Sequence, residues 1–241
     1  DEVALYGFDP EDFQLSLSGI DFKINTVSNQ AMPALNFQAS HGEAGFAVPT
    51  GNPDEPIVLD MTGKTIGASL QNATLRISEF VYVSGSFAFE KGGLQLLSAK
   101  TVGGIHAPVL ADAFTLGASH VQAFVGVGGP YRLDSNEDGK ITVDDEVANP
   151  NAIGLVIDDF TFGLGLFQDQ ATKIKYTALK ASAAKIGMNG LGEVIEFSLD
   201  DVVVAINRSS NPLFVLDFTQ NGDGSASEGL AIDTGDPDSP V

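Results

Sequence analysis

The chain has 241 residues, 43% of them apolar, with 32 acids against 12 bases, a formal net charge of −20 and no cysteine. That apolar content suffices for one sizeable core and excludes wholesale disorder, while so much negative charge disfavours nucleic acid and anionic membranes as partners. The lack of cysteine excludes a disulfide framework, a thiolate zinc site and a cysteine nucleophile, which leaves bound metal as the obvious stabiliser of a secreted domain.

Taken in chain order, the hydrophobic signal has a period of two. Leu15 and Leu17, then Ile20, Phe22 and Ile24, alternate on either side of Ser18-Gly19. Phe80, Tyr82, Phe87 and Phe89 do the same around Ser84-Gly85, and Phe160 to Leu166 and Val202 to Ile206 follow. Such alternation, rich in aromatic and β-branched residues, predicts strands, and the small residues inside the runs predict bulges or bends. Ala171 to Ile186 is rich in Ala and Lys and scores as helix, but its second half matches strand-like sequence elsewhere and is read as a strand. No run is apolar enough for a membrane-spanning helix, so no membrane insertion is expected. The opening Asp1-Glu2-Val3 has neither signal peptide nor initiator Met, so the sequence reads as a piece of a longer protein.

Short motifs recur. Thr65-Ile-Gly-Ala-Ser69, Thr115-Leu-Gly-Ala-Ser119 and Ala178-Leu-Lys-Ala-Ser182 form one set. Leu15 to Ile20, Leu155 to Phe160 and Phe197 to Val202 form the other, the last two carrying Asp158-Asp159 and Asp200-Asp201. These acid pairs read as bulge or turn residues in preference to ligands. A longer repeat overlies both. Leu17, Ile24 and Asn25 match Leu199, Ile206 and Asn207 at a separation of 182, and Gly45, Thr50, Gly51 and Pro53 match Gly229, Thr234, Gly235 and Pro237 at 184. Residues 1–44 therefore read as the tail of a preceding copy, 45–228 as one complete repeat and 229–241 as the start of the next. Tandem β-units bury their ends against one another, so neighbouring repeats are the expected partners.

The sharpest chemical motif lies at residues 134–146. Asp134, Asn136 and Asp138 stand at loop positions 1, 3 and 5, with Gly139 at 6 for the sharp turn. Lys140 offers a backbone carbonyl, Ile141 an apolar anchor and Thr142 a ligand at 9, and Asp145 closes the loop at 12 with Glu146 as a substitute. Ca²⁺ takes six to eight hard oxygens, and this spacing wraps them around one point. Asp in place of Glu at position 12 resembles dockerin-type loops, and Pro150 leaves little room for a following helix, which favours a lone structural loop. A weaker second loop offers Asp217, Thr219, Asn221, Asp223 and Glu228, without the apolar anchor. His41, His106 and His120 have no ligand spacing. No catalytic motif stands out, and an enzyme is not expected.

The stretches SEFVYVSGSFAFEKG (78–92), TLGASHVQAFVGVGGPY (115–131) and AIGLVIDDFTFGLGLF (152–167) resemble the long tandem repeats of giant secreted bacterial calcium-binding adhesins of the RTX type. The resemblance implies export, calcium-stiffened extension and a role in surface attachment or matrix. The Gly-rich nonapeptides of RTX calcium rolls are absent. The expected fold is all-β: an elongated solenoid-like stack of rungs with an inserted EF-hand or dockerin-like calcium loop, or alternatively a β-sandwich per repeat. The expected function is a Ca²⁺-stabilised extender of an extracellular adhesin, or alternatively a calcium-dependent, lectin-like module for cell-surface or matrix ligands.

Overall fold

The computed structural model describes residues 3–4, 13–29, 32–42, 44–52, 54–78, 80–137, 141–142, 144–145, 147–191 and 197–241. Its architecture is all-β. The elements are β1 (Val3–Ala4), β2 (Phe13–Asn25), α1 (Phe37–His41), β3 (Phe46–Val48), β4 (Ile57–Leu59), β5 (Thr65–Ile77), β6 (Val81–Thr101), β7 (His106–Val127), β8 (Ile153–Asp169), β9 (Lys175–Asn189), β10 (Ser198–Ser209) and β11 (Phe214–Asn221). Among the described residues, β3 and β4 form a small hairpin, and the other strands form one nine-stranded sheet in the order β1-β2-β5-β6-β7-β8-β9-β10, with β11 on β6. Among the described residues, no helix is long and apolar enough to cross a membrane.

The strands are long and antiparallel, and no stack of rungs is found among the described residues. The expectation of rungs is corrected by where the two short motifs fall. The Gly-Ala-Ser type occupies β5, β7 and the matching part of β9, while the Asp-Asp type occupies β2, β8 and β10. They mark alternate strands of a meander, one set running up and the other down. Alternation fixes which face a side chain takes but not which strand lies next to it. The Ala/Lys-rich segment enters the sheet as β9 from Lys175 onward, overriding its helix propensity.

A row of irregular positions crosses the sheet. Gly19, Gly85, His120, Asp159 and Asp201 have φ of 63, 152, 53, 50 and 53°. Register shifts occur there between β5 and β6, β6 and β7, and β7 and β8. Asp and His tolerate the left-handed region better than most side chains, and Gly tolerates it freely, so the second Asp of each Asp-Asp pair stands where β2 uses Gly19.

At one end the sheet rolls up. β11 pairs with β6 with Phe214 opposite Thr101, and Asn207 of β10 donates to the Leu216 carbonyl at 2.7 Å. Leu97, Ala99, Val109, Ala111, Phe167, Tyr176 and Leu216 are buried together inside this roll. A second core of Tyr82, Phe124, Ala152 and Val156 lies toward the other end. Between the two, residues 229–241 cross the sheet. A Cβ on Gly117 would lie 2.2 Å from the Asp233 carbonyl oxygen, and one on Gly235 would lie 2.5 Å from the Leu70 and Phe87 carbonyl oxygens. Thr234 is fully buried beneath this crossing.

The β8–β9 turn is held by Asp169, which is buried and accepts from the Ala171 amide at 3.0 Å, the Thr172 amide at 3.3 Å and the Thr172 hydroxyl. The Thr172 hydroxyl is the main cause that holds this carboxyl below the ordinary range; burial opposes it, and the two amides assist. A depressed carboxyl stabilises the fold above its unfolded pKa of about 4 and loses that contribution as pH falls toward the folded value. Asp169→Asn is expected to lose about 1–2 kcal/mol at pH 7. The deficit should shrink between pH 4 and 2, checked by thermal melts across that range.

Candidate metal centre

The loop between β7 and β8 rises from a short stem. Arg132 bridges Ala148, the Leu133 amide donates to the Val147 carbonyl at 2.9 Å, and the Asn149 amide donates to the Tyr131 carbonyl at 2.7 Å. The buried Asn149 side chain closes the stem by donating to the Gly128 and Pro130 carbonyls at 2.9 and 2.8 Å. Ile141 packs against the Tyr82–Phe124 core, the apolar setting expected of the loop anchor, and its carbonyl accepts from the Ser84 hydroxyl at 2.9 Å.

Asp145 is the hub of the described part of the loop. It is fully buried, and it accepts from the Ser135 amide at 2.7 Å, the Ser135 hydroxyl at 3.2 Å and the Thr142 amide at 2.8 Å. Burial pushes its carboxyl upward, but the Thr142, Ser135 and Asn136 amides and the Ser135 hydroxyl outweigh that and hold it below the ordinary range. The position-12 carboxylate thus ties the start of the loop to its end through main-chain N–H groups. Asp134 is half-buried, Asn136 exposed and Thr142 half-buried. Asp138, Lys140 and Glu146 lie outside the described residues. The donors are hard oxygens throughout, which suits Ca²⁺. Among the described residues, no group of three or more His, Asp or Glu gathers around one point.

Arg132, which carries no signal in the sequence, locks the loop to the sheet. Its Nε and Nη2 donate to the two oxygens of the buried Asp158 at 3.0 and 2.6 Å, and its Nη1 donates to the Asp145 carbonyl. The hydrogen bonds to Asp158 hold the guanidinium above its usual range against the cost of burial. Asp158, read from sequence as a bulge residue, is therefore also the anchor of the loop.

The weaker second loop is differently arranged. Asp217 accepts from the Thr219 hydroxyl at 2.6 Å and the Thr219 amide at 3.0 Å, and faces Lys100 Nζ at 3.6 Å and His106 Nε2 at 3.5 Å. The Thr219 bonds, then Lys100 and His106, hold its carboxyl low despite burial. Asn221 donates to the Ser225 hydroxyl at 3.0 Å, Asp223 accepts from the same hydroxyl at 2.6 Å, and Glu228 is exposed. Asp217 thus faces Lys100 and His106, and the remaining residues build a turn.

Sequence spacing gives no sign of a polar cleft of about 380 Å³ between the β7–β8 loop and the crossing segment. Its wall includes Asn72, Thr74, His120, Thr142, Asp144 and Asp236. His120 lies 2.8 Å from Asp159 and 3.1 Å from Ser239 through its two ring nitrogens, joining β8 to the crossing segment. These acids are 39 and more residues away in sequence, which hides them from any local reading.

No family model matches the chain, and neither a curated protein nor a solved structure does.

Proposed function

We propose that residues 45–228 are one structural repeat of a larger extracellular bacterial protein of the adhesin or matrix kind, stiffened by Ca²⁺ at residues 134–146, with no catalytic role. Residues 1–44 would end the preceding unit and 229–241 begin the next. In place of stacked rungs, the unit would extend as successive lengths of antiparallel sheet.

The observation that carries this reading is that geometry recurs with sequence. Thr50 donates its hydroxyl to the carbonyls of Asn52 at 3.3 Å and Glu55 at 2.8 Å; Thr234, its counterpart, donates to those of Asp236 at 3.3 Å and Ser239 at 3.0 Å. Val48 pairs with Ile57 in the β3–β4 hairpin, and their counterparts Ile232 and Val241 exchange backbone bonds at 2.8 and 3.1 Å. Thr50 is exposed, whereas Thr234 is fully buried against the sheet. The same turn therefore occurs once with a sheet beneath it and once without, as expected if residues 45–57 belong on the sheet of a preceding copy.

Calcium supplies the stiffening in this reading. Without it, the acids of the 134–146 loop repel one another and the loop gains entropy. At a free concentration about 100 times Kd, binding adds about 2.7 kcal/mol. Thermal melts with Ca²⁺ and with EDTA should then differ by roughly 5–10 °C. Equal midpoints, together with no lanthanide luminescence from the loop, would reject the calcium role.

A second reading, a calcium-dependent glycan-binding module, draws on the polar cleft beside Thr142 and Asp144. It predicts calcium-dependent signal on a glycan array, which the extender reading does not.

A further inference from the structure

Strand β10 pairs on one side with β9, and among the described residues no ladder covers its other side. Leu199, Val203, Val204 and Ile206 are 49, 71, 42 and 40% exposed. Asp200, Asp201 and Arg208 charge its ends and Asp201 bends it, but the apolar run from Val202 to Ile206 between them remains a template for another strand.

The chain contains a completed form of this edge. β2 is the repeat counterpart of β10, and β5 covers its full length: Asn25 lies opposite Thr65, Phe22 opposite Ala68, Ile20 opposite Leu70 and Ser18 opposite Asn72. The two strands bend at the same repeat position, Gly19 in one and Asp201 in the other. Asn25 and Asn207 show what the covering strand changes. Asn25 is 6% exposed, and its side-chain amide donates to the Leu35 carbonyl at 2.7 Å and to the Gly63 carbonyl, just ahead of β5, at 2.8 Å. Asn207 keeps the first of these bonds, to Leu216 at 2.7 Å, but it is exposed, and among the described residues no bond corresponds to the one with Gly63.

We infer that the free edge of β10 binds a second copy of the repeat through that copy's counterpart of β5. In this register Asn207 lies opposite the Thr65 of that copy, Val204 opposite its Ala68, Val202 opposite its Leu70 and Asp200 opposite its Asn72. The incoming Gly63 carbonyl takes the second hydrogen bond of Asn207. The inference rests on the repeat reading above and adds the surface and register by which copies join. Val241 stands at the repeat position of Ile57, so a chain in which residue 58 follows Val241 continues the unit without a gap. The hairpin begun by Ile232 and Val241 then leads into the incoming strand, as β3 and β4 lead into β5.

The test is hydrogen exchange, read by mass spectrometry, on the full chain and on the full chain followed directly by a second copy of residues 58–241. Residues 198–207 of the first copy should exchange at least about tenfold more slowly in the doubled chain. Asn207→Ala in the first copy should lower the melting temperature of the doubled chain more than that of the single one. A shorter extension, residues 58–77 alone after Val241, gives the same readout without requiring a second unit to fold. If strands β6 to β9 are protected in both copies but residues 198–207 exchange as in the single chain, the edge pairing is overturned and the repeat reading stands. A second copy that stays unprotected throughout, with no slowing from the short extension, overturns both.

Discussion

Phe124→Ala should lower the melting temperature by roughly 6–20 °C, the largest effect expected of any single substitution here. Phe124 is 1% exposed and sits among Tyr82, Ala152 and Val156, with Tyr131 and Ile141 against the cluster. Truncating a buried Phe costs about 3–5 kcal/mol through lost transfer free energy and the cavity left behind. Each kcal/mol moves the midpoint of a chain of this size by about 2–4 °C. The loss should also reach the loop between β7 and β8, because Ile141 rests on this cluster. Amide exchange at Thr142 and Ser135, the donors to Asp145, should quicken beyond the change seen in the rolled end of the sheet. A variant that melted within about 3 °C of the parent would contradict the packing of Phe124 in this core, and unchanged exchange at Thr142 and Ser135 would mean that the loop does not depend on it.

Gly117→Val should cost about 3 kcal/mol by a different route. A Cβ at this position would lie 2.2 Å from the Asp233 carbonyl oxygen and 3.2 Å from the Ile232 side chain. The obstacle is backbone, so no rotamer change relieves it, and residues 229–241 must lift from the sheet. Ile232 and Thr234 then lose their burial. The expected result is a midpoint lower by roughly 6–12 °C together with rapid exchange of the Ile232 and Val241 amides. Gly93→Ala is the control, since a Cβ there meets nothing nearer than 3.9 Å. Equal protection of Ile232 in both variants would contradict the crossing segment as placed.

The strands themselves were legible because exposure and burial alternate along them, as the run from Val81 to Ala88 illustrates. Small residues inside apolar runs correctly marked bends, and Asp159 and Asp201 took up the left-handed positions that make the acid pairs recur. The loop anchor Ile141 was legible from its position after the acidic stretch. Other features carry no local signal. The pairing of β11 with β6 joins Phe214 to Thr101, and Arg132 meets Asp158 across a strand connection. Side-chain periodicity is blind to partners of that kind, which explains why rungs and a meander read alike. Asp145 stands out in the sequence only as a loop-closing acid, and the main-chain donors that the structure gives it, Ser135 and Thr142, do not follow from ligand spacing.

The crossing segment also has a kinetic consequence. Each neighbouring pair from β5 to β10 forms across a connection in the sequence, so those ladders can assemble one after another. The contact between Gly117 and Asp233 instead joins positions more than 100 residues apart, and it has no surface to land on until the sheet exists. Long-range contacts of this sort slow folding because chain-closure entropy must be met before they form. The strap formed by residues 229–241 is therefore expected to assemble late, as is the pairing of β11 with β6. Until it does, the nascent sheet leaves bare the face that Thr234 and Ile232 finally cover, so that interval is when this chain is most open to self-association.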